Sequence, residues 1–224
     1  MNRQPLTRSE ENYLKAVYSL SGNTDKGVST SDLATRLETK ASSVTDMVQK
    51  LAEKNLLHYR KYQGAKLTPA GKAAAIQIVR KHRLWEVFLH EKLGFAWDEV
   101  HDIAEQLEHI KSEELILRLE RFLGHPKFDP HGDPIPDPDG RIQTRRSMPV
   151  SEMKPGMDGV ITGVRDSSSS FLQYLDKQQL VLGTRIKVIE VFDYDQSVQV
   201  ETTENRLTLS FDVSKNIKVQ VENG

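Results

Sequence analysis

The sequence predicts a mainly helical chain with a β domain at its end: a winged helix-turn-helix, a helical middle, and a small barrel. Three observations carry this. Apolar residues recur at helical spacing through most of the first half, interrupted once by a short alternating stretch near residues 56–62. Prolines then crowd residues 126–155. From residue 150 onward the pattern is short alternating strands.

The totals set the bounds. A chain of 224 residues fits one large or two small domains and buries a core without covalent staples. It has no cysteine, which excludes disulfides, thiolate metal ligands and a cysteine nucleophile. No apolar run is long enough to span a bilayer, and a soluble, cytoplasmic protein is expected. The net charge of −1 is uninformative, but its distribution is not. Residues 26–81 are strongly basic, opposed only by Asp32, Glu38, Asp46 and Glu53. Residues 95–140 are strongly acidic, opposed only by Lys111, Arg118, Arg121 and Lys127. A basic front and an acidic middle suggest a polyanion and a cation as partners.

Thr7 or Ser9 can cap a first helix, with Glu10 and Glu11 in its first turn and Gly22-Asn23 at its end. Ser29 or Thr30 caps a second, and a third starts near Ser42 with Val44, Val48 and Leu51 on one face. Leu56–Tyr62 alternates, Gln63-Gly64 turns, and Ala65–Thr68 returns, so a hairpin follows the third helix. A helix-turn-helix followed by a basic hairpin is a DNA-binding pattern. Lys40, Lys50, Arg60, Lys61 and Lys66 would meet phosphates, and Ser42, Ser43, Thr45 and Gln49 would reach base edges. Asp46 on the same face opposes phosphate, and a winged-helix protein-interaction module shares the pattern.

A long helix runs from Pro69 to about Leu93 and carries His82 and Glu86 one turn apart. Residues 100–110, VHDIAEQLEHI, predict a helix with a chemical face. At about 100° per residue, Glu105, Glu108 and His109 fall roughly 40°, 340° and 80° from His101. Val100, Ile103, Ala104, Leu107 and Ile110 take the other side. Imidazoles beside carboxylates suit a divalent cation of the Mn²⁺, Fe²⁺ or Zn²⁺ kind. A surface helix with a solvated polar side fits the same periodicity. Ser112 caps an amphipathic helix whose stripe, with Leu107 and Ile110, could bury against a second copy. Residues 126–155 read as a linker, although Asp129-Pro130-His131 offers two ligands on a stiff backbone. Short strands at 159–164, 185–191, 197–201, 207–211 and 217–221, with a helical turn or two at 170–177, complete the barrel.

The runs RKHRLWEVFL (80–89), VHDIAEQLEHI (100–110) and GHPKFDPHGDPIP (124–136) resemble the diphtheria toxin repressor and manganese transport regulator family of metal-dependent transcription regulators. FLQYLDKQQLVLGTRIKV (171–188) resembles that family's last domain. The resemblance implies three segments: a winged helix-turn-helix at 1–72, a helical metal-binding and dimerisation domain with its Pro-rich linker at 73–148, and an SH3-like (FeoA-like) domain at 149–224. It implies a primary metal site at Asn12, Glu105, Glu108 and His109, with His82 adjacent. Family members carry aspartate or methionine where Asn12 stands, and Lys15 stands where a subfamily with a paired two-metal site carries glutamate. Glutamate at 105, in place of the thiolate of iron-type members, points to Mn²⁺, with Fe²⁺ as the alternative. A second site is implied at Glu86, Asp129, His131 and Asp166, with cysteine replaced by Asp129; the iron-type alternative is His82, Glu86 and His101. The expected function is a manganese- or iron-responsive homodimeric repressor on a palindromic DNA operator, not an enzyme. Two other classes stay beside it: a His/Glu metalloenzyme, and a regulator answering to another ligand.

Overall fold

The computed structural model describes residues 5–22 and 26–222; Asn23, expected at the end of the first helix, lies outside them. Two compact units divide the chain. One holds residues 1–82, 105–116 and 136–141; the other holds 83–104, 117–135 and 142–224. No described helix is long and apolar enough to cross a membrane.

In the first unit, α1 (Arg8–Ser21) opens with a reciprocal cap: Thr7 Oγ1 accepts from the Glu10 amide while the Thr7 amide donates to the Glu10 carboxylate. α2 (Thr30–Arg36) is capped by Ser29, and α3 (Ala41–Glu53) follows a short break. β1 (Leu57–Arg60) and β2 (Gly64–Leu67) form the antiparallel hairpin. Val28 bridges to Ala65, bringing a third strand-like segment against the wing. That approach requires Gly64, whose φ is +80° and where a Cβ would lie 2.5 Å from the Val28 carbonyl oxygen. Leu14, Val17, Leu33, Val44, Val48, Leu51, Leu57 and Ala65 fill the core between these elements. α4 (Pro69–Leu93) then starts at the expected proline, with Thr68 Oγ1 accepting from the Gly71 amide.

Charged groups are buried inside this unit, Glu10 among them. The Glu10 side chain is fully buried, and Lys50 and Lys54 of α3 reach it at 3.0 and 2.7 Å. Burial works against its charge, but hydrogen bonds from Lys54, the Thr7 amide and Lys50 outweigh that and hold its pKa down at about 2.

The second unit contains the later turns of α4, most of α5 (Val100–Leu107), and the end of α6 (Glu113–Phe122). Phe88 of α4 meets Phe122 of α6 at a ring separation of 6.4 Å. Its β part consists of β3 (Met148–Pro149), β4 (Asp158–Val164), β5 (Arg185–Val191), β6 (Val198–Glu201), β7 (Arg206–Leu209) and β8 (Ile217–Val221), with α7 (Ser169–Lys177) and α8 (Phe211–Ser214). The sheet order is β3-β8-β4-β5-β6-β7, and every pairing is antiparallel. Ile161, Leu172, Leu175, Ile186, Val200, Ile217 and Val219 form its core, and Trp97 joins them, its Nε1 donating to Asp176 at 2.9 Å.

Residues 126–155 are not the free linker that their prolines suggest. Asp129, His131 and Ile135 are buried, and the Val164 amide of β4 donates to the His131 carbonyl at 3.0 Å. Gly132 makes this contact possible: φ is +82°, and a Cβ there would lie 2.0 Å from the Thr162 carbonyl oxygen.

Two outcomes follow. Gly132→Ala should destabilise the second unit by roughly 2–4 kcal/mol, from positive-φ strain plus a backbone clash, read by urea unfolding. Glu10 should contribute stability that is fully present above the ordinary carboxyl value near 4.5 and is lost as pH falls through about 2. Glu10→Gln should flatten that acid limb in a series of unfolding titrations.

Candidate metal centre

The first candidate centre lies in the first unit. α5 stops at Leu107, so Glu108 and His109 do not continue the helical ladder. They sit in the turn after it, where the Ile110 amide bonds the Leu107 carbonyl. Glu108 is fully buried and lies under two donors. His82 Nδ1 is 2.6 Å from Oε2, and Lys15 Nζ is 2.7 Å from the same oxygen and 3.2 Å from Glu105 Oε1. Burial disfavours the Glu108 charge, but the His82 hydrogen bond and the Lys15 charge more than offset it and hold the carboxyl below its usual range. Lys81, pushed down by burial, is held up by the charges of Glu11 and Glu108.

The first helix also brings a carboxylate to this centre, that of Glu11. Glu11 Oε2 accepts from His109 Nδ1 at 2.5 Å, which fixes the ring and leaves Nε2 with the lone pair. Asn12 lies on the same helix and is half-buried. Two atoms remain: Glu108 Oε1 and His109 Nε2 are buried without a hydrogen-bond partner and stand 3.7 Å apart. Unsatisfied buried acceptors of this kind are rare and call for an explanation. A carboxylate oxygen and an imidazole lone pair converging on one point fit a divalent cation. The sequence carried one sign of Glu11: it stands four residues before Lys15, so the two share a helix face.

The second candidate centre lies in the other unit. Ligand atoms of Glu86, Asp129 and His131, all buried, lie within 4.8 Å of one another. His131 Nε2 donates to the Trp97 carbonyl at 2.7 Å, leaving Nδ1 facing Glu86 Oε1 at 3.8 Å. Asp129 Oδ1 accepts from the amides of His131 and Asp133, both at 2.9 Å, and Oδ2 is 3.4 Å from Arg83 Nε. Burial, then the charges of Glu86 and Asp133, push Asp129 up to about 7. Burial opposes a charge on His131 too, but Glu86 and Asp129 raise it to about 9. Carboxylates crowded out of water in this way are a site that a cation relieves.

The remaining expected residues divide. His101 Nδ1 is 3.2 Å from Glu86 Oε1, so it is at the edge of this centre. Asp166 is not among the three grouped residues; its Oδ1 accepts from the Ser168 amide at 2.8 Å, at the start of α7. The alternative set of His82, Glu86 and His101 draws on both units, and His82 is engaged by Glu108.

On the winged helix, Lys40, Ser42, Ser43, Gln49, Lys50, Arg60, Lys61 and Lys66 are exposed. Thr45 is half-buried and its hydroxyl donates to the Ala41 carbonyl. Lys50 is less free than its sequence position implies, because its ammonium pairs with Glu10.

Comparison with known proteins agrees with this geometry. Residues 5–65 match the iron dependent repressor N-terminal DNA binding domain, 68–137 the iron dependent repressor metal binding and dimerisation domain, and 148–221 the FeoA domain. The chain is 28% identical over 207 residues to a diphtheria toxin repressor of Corynebacterium jeikeium, covering 88% of this chain and 77% of that one. It is 32% identical over 160 residues to the iron-dependent repressor IdeR of Mycobacterium leprae, covering 67% and 68%. A solved structure of a manganese-dependent transcriptional repressor in complex with manganese superposes with a TM-score of 0.85 at 33% identity, over 94% of this chain and 98% of that one. With matched domains in the same order along the chain, and a carboxylate–imidazole centre behind a winged helix, this protein belongs to the diphtheria toxin repressor family of metal-dependent transcriptional repressors.

Proposed function

We propose that this repressor responds to Mn²⁺, acts as a homodimer in the cytoplasm on a palindromic operator, and performs no catalytic step. The observation that carries the metal reading is the pair of buried, unsatisfied atoms, Glu108 Oε1 and His109 Nε2. Glu105 and the Asn12 amide would complete that centre, with Glu11 and His82 orienting His109 and Glu108. The donors are oxygen and imidazole with no sulfur, a set suited to Mn²⁺; Fe²⁺ takes the same donors. Glu86, Asp129 and His131 would hold a second ion, with His101 at its edge. Asp166 would reach that shell through Oδ2, since Oδ1 accepts from the Ser168 amide.

When bound, the ion supplies a local double positive charge and a fixed coordination geometry. The chain's own residues convert this into DNA affinity. Glu10 and Glu11 are neighbours on α1. Glu11 holds His109, and Glu10 holds Lys50 and Lys54 of α3. Fixing α1 at the metal centre therefore fixes the helix that carries Ser42, Ser43 and Gln49. Linkage requires metal and DNA to favour each other's binding by the same free energy, typically ~1–3 kcal/mol. Leu115 and Phe122, seven residues apart on α6, are exposed and share a face that a second copy could cover.

Glu108→Gln keeps the shape and removes the charge. It should weaken Mn²⁺ binding by about 100-fold and abolish metal-dependent shift of an operator duplex, without loss of fold by circular dichroism. If metal-dependent shift survives in Glu108→Gln, the assignment of the first centre is wrong. Asp129→Ala should remove one bound ion per chain in a mass-spectrometric metal count and leave the first in place. Parallel DNA titrations with Mn²⁺, Fe²⁺ and Zn²⁺ rank the activating ions. Affinity alone does not, because it favours zinc over manganese and iron at such donors.

A further inference from the structure

Tyr62 stands at the tip of the wing, between β1 and β2, and nothing so far accounts for it. Its side chain is 94% exposed. Its φ is +69°, a left-handed conformation that a bulky residue adopts at a cost and that glycine adopts freely. Glu38, Asn55, His125, Gln179 and Gln196 share a positive φ, but Tyr62 alone among these six puts a phenol ring in water there. The surroundings are uniformly basic. Arg60 and Lys61 precede the ring, Lys66 lies across the hairpin, and residues 56–68 contain no Asp or Glu. Lys61 Nζ sits 5.3 Å from the ring centroid.

We infer that Tyr62 is a DNA-contacting residue whose ring enters the minor groove beside each half-site and reads its base composition. The inference rests on the DNA-binding reading of the winged helix. Hairpin lysines and the arginine bring the tip to the phosphates that border the groove, where a flat apolar ring fits between the sugar walls. In an A·T step the groove floor carries acceptors alone, whereas a G·C step adds the guanine N2 amino group. The ring therefore favours A·T at the flank, and it does so by shape and not by hydrogen bonding. The recognition helix in the major groove does not meet the guanine N2 amino group, so it does not separate G·C from inosine·C.

The test uses the full chain loaded with Mn²⁺ and a duplex selected by it from a random pool; failure to select any duplex would count against the DNA-binding reading itself. Fluorescence anisotropy then compares wild type, Tyr62→Phe and Tyr62→Gly on that duplex and on versions carrying G·C or inosine·C at the flanking step. Inosine·C has the major-groove edge of G·C without the N2 amino group. Wild type and Tyr62→Phe should lose about tenfold in affinity on the G·C duplex and recover on inosine·C. Tyr62→Gly should bind the A·T duplex about tenfold more weakly and lose the G·C penalty, while its melting temperature is unchanged or higher, because glycine relieves the positive φ. Tyr62→Gly binding as tightly as wild type would overturn the inference. So would a G·C penalty that persists in Tyr62→Gly, or a loss of affinity accompanied by a lowered melting temperature.

Discussion

The buried carboxylate of Glu108 is the constraint on which the first unit depends. An ionised carboxylate taken out of water costs several kcal/mol unless the protein surrounds it with donors. Three elements must converge to do so: Lys15 from α1, His82 from α4, and the turn after α5 that carries Glu108 itself. Lys15 and His82 both act on Oε2, so the partnered oxygen fixes the side chain and the other oxygen stays uncommitted. The arrangement holds Oε1 in place, so for an ion proposed to bind there much of the ordering cost would be met by folding and not by binding.

The two candidate centres solve the same electrostatic problem in opposite ways. Around Glu108 the chain supplies cations of its own, and the carboxyl is held below its usual range. Around Asp129 the nearest fixed cation, Arg83, is 3.4 Å away and shared with Asp133, and the carboxyl is pushed up. The first centre is therefore stable as a set of ion pairs, and an ion must compete with Lys15 for carboxylate charge. The second crowds Glu86 and Asp129 around a His131 raised to about 9, so an ion there would have to displace the His131 proton, where at the first it would have to displace Lys15.

Much of this was legible in the sequence, and the failures have physical causes. The long helix begins at Pro69 and ends at Leu93 as read, because proline at a first helical position and glycine after the last are local signals. The hairpin was equally clear, since alternation around Gln63-Gly64 needs no distant partner. The ladder was read one turn too long: Glu108 and His109 keep helical spacing in sequence but leave the helix to reach donors that spacing cannot reveal. The contact of Glu11 with His109 is not legible in the sequence, because a motif gives corresponding positions and not which side chains pair. The segment after residue 126 was misjudged as a linker because prolines mark irregular backbone. Irregular backbone is not the same as unpacked backbone, as buried Asp129 and His131 demonstrate. Short β3 and α8 carry too few residues to display a period.

Placing Glu10 and Glu11 side by side has a consequence for signalling. Adjacent residues on a helix point about 100° apart, so one helix can hold two partners on different faces without bending. Glu11 faces His109, and Glu10 faces α3. A rigid helix transmits rotation better than a loop, because each hydrogen-bonded turn constrains the next. Lys50 pairs with the Glu10 carboxylate, which would compete with a DNA phosphate for it under the proposed DNA contact. An arrangement that holds α1 and α3 together limits how far Lys50 can swing toward DNA, and confines phosphate contact to poses in which α3 is already in register. Nonspecific contact is weakened more than specific contact by that restriction, which is the direction a repressor requires when its operator competes with a large excess of other sequence.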